Sequence, residues 1–281
     1  MNYESTANNI KTKTGILSWW FILIFVVCVS IISALFFPIK TLPDTVLTIS
    51  QPQAITLYYL QQLVPLYPER YSLRIALIQQ EIGIYDWIAA EHQISLLEKD
   101  SAMANEARLL RFQIKYTQAY QMPHGLEREA AFMNLRKEVG TFTQLPLQKD
   151  QVLTLAKMAL SLGMPALALS YYQQLGQVKD PLLLKQIAQT ALQTSQHAVS
   201  AQYYMLAEQQ EKTVEQKRVD IINALKALEA GRLFDQGIKL ISTLQDNVID
   251  NKAMLTFLAQ YCLAANKPDL AEVYIKRALL K

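Results

Sequence analysis

The chain has 281 residues, 51% of them hydrophobic, and carries a formal charge of +3 with acids and bases interspersed. Without a basic run there is no electrostatic footprint for nucleic acid. Two cysteines and eight glycines leave no disulfide framework and argue against a sheet sandwich, pointing instead to an all-α fold held by packing.

Residues 1–15 form a polar tail. Residues 16–37, ILSWWFILIFVVCVSIISALFF, contain no charge. At about 1.5 Å per residue such a run is roughly 33 Å long, enough for a hydrocarbon core of about 30 Å. A cleaved signal has a shorter apolar region, and no small residue stands where a cut after Ala34 needs one, because Ile32 occupies that place. Cys28 follows Val27 rather than the small residue of a lipoprotein signal. The run is therefore expected to be a retained transmembrane helix. Lys11 and Lys13 precede it and only Lys40 follows closely, so the tail is expected in the cytoplasm and the body outside it. Trp19 and Trp20 fit the cytoplasmic interface.

Residues 38–52 read as a short linker with three prolines. From Gln53 the apolar residues recur at three- and four-residue spacings, the mark of helices burying one face. Pro65, Pro68, Gly83, Pro123, Gly125, Gly140, Pro146, Gly163, Pro165, Gly176, Pro181, Gly231 and Pro268 punctuate the helices. Residues 53–140 are expected to form one degenerate lobe and 148–281 a more regular array, with the break at Gly140.

The array carries an internal repeat. LAKMALSLGMPALALSYY from Leu155 falls on LAQYCLAANKPDLAEVYI from Leu258, matching Ala156 with Ala259, Leu160 with Leu263, Pro165 with Pro268, Ala168 with Ala271 and Tyr171 with Tyr274. That offset is close to three periods of about 34 residues, which implies weaker copies between. Ala224, Leu228 and Gly231 lie two periods after Ala156, Leu160 and Gly163, and Ala201 and Tyr204 lie one period after Ala168 and Tyr171. A degenerate copy spans Tyr67 to Leu97. The pair from about Ala102 to Val139 has longer helices and no consensus small positions.

With two helices per period, the body resembles the tetratricopeptide repeat, an α-solenoid family. Ala259, Ala271 and Ala278 match its small positions, and Tyr274 and Ile275 its bulky ones. Anchor, linker, YYLQQLVPLYPERYSLRIALIQQEIG, RLLRFQIKYTQAY and the final FLAQYCLAANKPDLAEVYIKRALL together resemble the anchored repeat region of PelB-type exopolysaccharide export proteins. That resemblance implies a periplasmic scaffold meeting polysaccharide-processing machinery. With no barrel strands before Lys281, it implies no pore.

Little chemistry is legible. His92, His124 and His197 lack metal-ligand spacing, and Cys262 sits at a packing position. Glu127 and Glu129 suit a helix start. Tyr58-Tyr59, Tyr171-Tyr172 and Tyr203-Tyr204 could stack on sugars, although core packing accounts for one ring of each. No catalytic, cofactor or metal site is expected. The expected function is a membrane-anchored periplasmic scaffold that binds another envelope protein or a second copy of itself. The alternatives are an assembly or chaperone-like factor for another envelope complex, or an enzyme with its site in 102–139. The repeat register places Lys157, Leu160, Leu225, Leu228, Gln260 and Leu263 in a partner-binding groove. The chain stops within the second helix of a repeat whose apolar stripe is wide, so Leu279 and Leu280 are expected at a C-terminal interface.

Overall fold

The computed structural model describes residues 23–27 and 54–281. Of the expected span at 16–37, residues 23–27 are helical and exposed, and the rest lies outside the described residues, as do the tail and linker. Among the described residues no helix is long and apolar enough to cross a membrane. All regular structure among them is helical.

The chain falls into two compact units, residues 1–114 and 115–281. The first contains α1 (Ala54–Leu66), α2 (Tyr71–Gly83), α3 (Trp87–Leu97) and, after a 3-10 turn, the start of α4 (Ala104–Gln121). Leu60, Leu63 and Val64 of α1 pack on Leu73 and Leu77 of α2. The far side of α2 buries Ile78 against Ala90, Ile94 and Leu97 of α3 and Ala107, Leu110 and Ile114 of α4. Arg111 of α4 holds Glu91 (3.2 Å) and Glu98 (3.0 Å) of the preceding segment.

The second unit holds the end of α4, then α5 (Leu126–Val139), α6 (Lys149–Ser161), α7 (Pro165–Gln173), α8 (Pro181–Gln193) and α9 (His197–Gln210). It continues with α10 (Val214–Ala230), α11 (Phe234–Ser242), the single turn α12 (Asp246–Ile249), α13 (Lys252–Ala264) and α14 (Pro268–Leu279). Gly140, the expected lobe break, opens a 3-10 turn directly after α5, whereas the division between units falls inside α4. The long α4–α5 pair is tied to the C-terminal end of α6: Tyr120 Oη donates to the Ser161 carbonyl (3.0 Å) and Arg136 Nε to that of Leu162 (2.9 Å). These carbonyls belong to a last turn that lacks partners within its own helix.

Among the described residues one turn recurs five times. Tyr85, Gly163, Ser195, Arg232 and Asn266 all have positive φ, and each lies between two helices of a pair. The N–H after each donates to a carbonyl five residues back: Asp86 to Glu81, Met164 to Ala159, Gln196 to Ala191, Leu233 to Leu228 and Lys267 to Cys262, all at 2.8–2.9 Å. This is the Schellman closure, which satisfies orphan carbonyls at a helix end with one left-handed residue. The last four of these turn residues, Gly163, Ser195, Arg232 and Asn266, recur at nearly even intervals, of which that from Ser195 to Arg232 is the longest.

The turns set a common register. Five residues after each left-handed residue stands a small buried one: Ala90, Ala168, Ser200, Gly237 and Ala271. At Gly237 the next pair sets the limit, through Tyr261 of α13. A Cβ on Gly237 would overlap the Tyr261 hydroxyl and lie 2.5 Å from the ring carbon that bears it. Seven residues before the turn residue, Ile78, Ala156, Ala188, Leu225 and Ala259 are all buried.

Candidate helix-docking cleft

The final pair, α13 and α14, leaves an apolar cleft of about 250 Å³ lined by Lys252, Thr256, Ala259, Gln260 and Leu263 of α13 and Ile275, Ala278 and Leu279 of α14. The asparagine before α13 fixes where that helix begins, its Oδ1 accepting from the N–H groups of Ala253 and Met254 (2.9 and 3.2 Å). Pro268, at the first turn of α14, gives up an N–H that has no helical partner there. Arg277 and Lys281 then hold Asp246 (3.2 Å) and Asp250 (2.8 Å), tying the end of α14 to the α12 segment. On the inner side, Tyr261, Cys262 and Ala271 join the core with Ile241 and Leu258. Burial pushes the Tyr261 hydroxyl up to about 12 and raises the Cys262 thiol, so both stay neutral packing groups near neutral pH.

The turn register shows what shape of surface this is. Ala259 and Ile275 occupy the positions that Ala188 and Tyr204 occupy in the α8–α9 pair. Those two residues are covered by Ala224, Ala227 and Leu228 of the next helix, α10. The cleft is thus the equivalent of a surface that elsewhere in the same chain seats a helix through a small and aliphatic face. Leu263 and Leu279 on its walls are 55% and 77% exposed.

Of the residues expected from sequence at two separate sites, the structure brings Gln260, Leu263 and Leu279 into this one cleft. Leu280 is 87% exposed beside it and does not line it. Lys157 is exposed and Leu160 half-buried, at the same register on α6 as Gln260 and Leu263 on α13. Leu225 and Leu228 are corrected. Both are core residues, Leu225 packed with Ile221, Met254 and Leu258, and Leu228 with Ala188 and Tyr204. The left-handed residue of that copy is Arg232, not Gly231, so the alignment slips by one and the true equivalents of Lys157 and Leu160 are Lys226 and Glu229, both exposed. One residue is about 100° around a helix, enough to turn a groove position into a core position. Ala259 and Ile275, which form the floor and one wall, were missed as site residues because each reads as a repeat packing position.

The sequence matches no known protein family, and no curated protein is significantly similar to it.

The histidines stand apart from the cleft. His92 is exposed, His124 lies 3.2 Å from Arg128, and His197 is half-buried against Gly231. Among the described residues no group of three or more His, Cys, Asp or Glu side chains is placed to hold a metal ion. In the 102–139 segment, Tyr120 meets the Tyr116 ring at a tilt and the Phe132 ring edge-on, with Arg128 over the Tyr120 and Phe132 rings. Tyr171 and Tyr172 are core residues, whereas Tyr58 and Tyr59 are exposed and edge-on to each other.

Proposed function

We propose that this protein is a membrane-anchored periplasmic scaffold of tetratricopeptide-like helix pairs, and that its last pair docks an amphipathic helix of another envelope protein. The observation that carries the reading is the apolar α13–α14 cleft, whose floor and wall sit at register positions covered by a helix in the α8–α9 pair. A helix with small or aliphatic residues at i, i+3 and i+4, as α10 has at Ala224, Ala227 and Leu228, fits it. The five Schellman turns and the small residue five positions after each support stacked repeats of one design. The uncharged stretch 16–37 and the lysines before it support the anchor and its orientation. The resemblance to the anchored region of PelB-type proteins supports a partner within polysaccharide-processing machinery.

The test places a photo-crosslinking amino acid at Leu279 in full-length protein in its native envelope, and maps the captured segment by mass spectrometry. The expected adduct is a helical segment of one protein with apolar residues at i, i+3 and i+4, lost when Ala259→Phe fills the cleft floor and kept in Glu272→Ala. Capture of lipid alone, or of a segment with no such face, overturns the docking reading. A reporter active only outside the cytoplasm, fused after Lys281, is expected to be active. Activity of a cytoplasm-only reporter there overturns the topology.

A further inference from the structure

Measured against the register common to the five turns, the first pair breaks the pattern twice, and both breaks face the same cavity. Four residues before the left-handed residue, the other copies bury Ala159, Ala191, Leu228 and Cys262, whereas the α2–α3 pair has Glu81, only 2% exposed. Eight residues after it, the others carry Tyr171, Tyr203, Leu240 and Tyr274, and this pair has Gln93. Glu81 and Gln93 line one cavity of about 250 Å³ with Gln61, Val64, Pro65, Leu77, Ala89 and His92.

Two acceptors in the cavity are left unsatisfied. Glu81 Oε2 and Gln93 Oε1 are both buried without a hydrogen-bond partner. Pro65, inside α1, has no N–H and so leaves the Gln61 carbonyl without its ordinary i+4 donor. A buried carboxylate oxygen and a buried amide oxygen left unsatisfied each carry a desolvation cost that a donor from outside the chain relieves. Val64, Leu77 and Ala89 supply apolar wall suited to a methylene stem.

We propose that the cavity between α1, α2 and α3 binds a primary ammonium group on a short aliphatic stem, with Glu81 as counter-ion and Gln93 and the Gln61 carbonyl as further acceptors. The compact ammonium carries three donors and no acceptor, matching that set. Its source is either a free alkylamine or the lysine side chain of a partner protein. Burial, with the nearby Asp86 carboxylate adding to it, pushes Glu81 up to about 7. The other ionisable groups on the packed elements are His92 of α3, which lines the cavity, and Tyr58 and Tyr59 of α1, Tyr71 and Arg74 of α2 and Glu91 of α3, which do not. Binding of an ammonium therefore draws on the ionised form of Glu81, which is mostly present at pH 8 and mostly absent at pH 6.

The experiment titrates the full-length protein with n-butylammonium by calorimetry at pH 8 and pH 6, with n-butanol as the uncharged isostere. Butylammonium is expected to bind, about tenfold more weakly at pH 6 than at pH 8, and butanol much more weakly at both. Glu81→Gln is expected to weaken butylammonium at least tenfold at pH 8 and to remove the pH dependence. Pro65→Ala, which restores a donor to the Gln61 carbonyl, weakens it severalfold with Glu81 in place. Helical circular dichroism confirms that both variants are folded. If N-acetyl-lysine methylamide binds as tightly as butylammonium, the source is a protein side chain; if it fails to bind, the source is a free amine. Butylammonium that binds no better than butanol, or undiminished binding in folded Glu81→Gln, overturns the proposal.

Discussion

Lys185→Met removes a cation on which two buried carboxylates depend. Lys185 Nζ on α8 lies 2.5 Å from the Glu211 carboxylate and 3.2 Å from that of Asp220 on α10. Asp220 is fully buried, and neither of its oxygens has a well-aligned hydrogen bond. Burial raises the Asp220 carboxyl above its ordinary range even with Lys185 opposing it. Burial alone would lower the Lys185 ammonium, but Glu211 and Asp220 outweigh it and raise it. Methionine keeps most of the side-chain volume and deletes the charge, leaving Asp220 uncompensated at a cost of about 3 to 5 kcal/mol at neutral pH. The sign of the pH dependence follows. A carboxyl whose folded value is raised binds protons more readily folded than unfolded, so its contribution to stability is greatest at low pH and is lost as pH rises through the folded value. Without Lys185 that value rises further, so the penalty measured by urea unfolding is expected to be large at pH 8 and much reduced at pH 5. Lys185→Met/Asp220→Asn is expected to recover at least about 1 kcal/mol relative to the sum of the single variants, the coupling typical of contacting residues. A penalty equal at both pH values, or additive single variants, refutes the reasoning.

Gly237→Ala is expected to cost about 1 to 3 kcal/mol in thermal unfolding and to alter the tyrosine near-ultraviolet dichroism, because the new Cβ would overlap the Tyr261 hydroxyl and fall 2.5 Å from its ring carbon Cζ. Ala271→Phe, at the equivalent position of the last pair and 1% exposed, is expected to overpack by a similar amount. Glu272→Ala removes only an exposed i,i+4 partner of Lys276 and is expected to change stability by less than about 0.5 kcal/mol. Equal melting temperatures for Ala271→Phe and Glu272→Ala contradict the packing register.

Much of the helical order was legible because apolar periodicity and Pro165, Pro181 and Pro268 mark starts that local chemistry enforces. The match between the stretches from Leu155 and Leu258 worked for a physical reason: Gly163 and Asn266 occupy the same left-handed position, so those two pairs superpose without a shift. The copies between them resisted, because their turns place Ser195 and Arg232 at positive φ, and such residues do not announce a left-handed conformation as glycine does. The interval from Ser195 to Arg232 is also longer than that from Arg232 to Asn266, so a fixed period misplaces α10 and carries Leu225 and Leu228 from the core into an imagined groove. The cleft itself was half visible. Leu263 and Leu279 read as exposed apolar residues, but the Ala259 floor joining them is a matter of packing between α13 and α14 that periodicity within one helix does not reveal.

Once the register is set by the turns, the copies act as internal controls for one another. The position five residues after the turn holds Ala, Ser or Gly, buried in all five pairs, and at Gly237 even one added Cβ would overlap the Tyr261 side chain of the next pair. The position four residues before the turn is under a weaker constraint: Ala159, Ala191, Leu228 and Cys262 differ in size but are all apolar, as burial without a polar partner requires. Glu81 meets the demand for burial and violates the demand for apolarity, in a pair where Gln93 also replaces a bulkier apolar or aromatic residue. Two polar exceptions facing one cavity oppose folding stability in the empty protein, as local rules broken at functional sites do, and each is relieved by the same kind of hydrogen-bond donor. The α13–α14 cleft departs from the pattern in the other direction. Ala259, Ile275 and Ala278 keep the apolar character of a covered position while Leu263 and Leu279 remain exposed, so among the described residues no helix covers that surface.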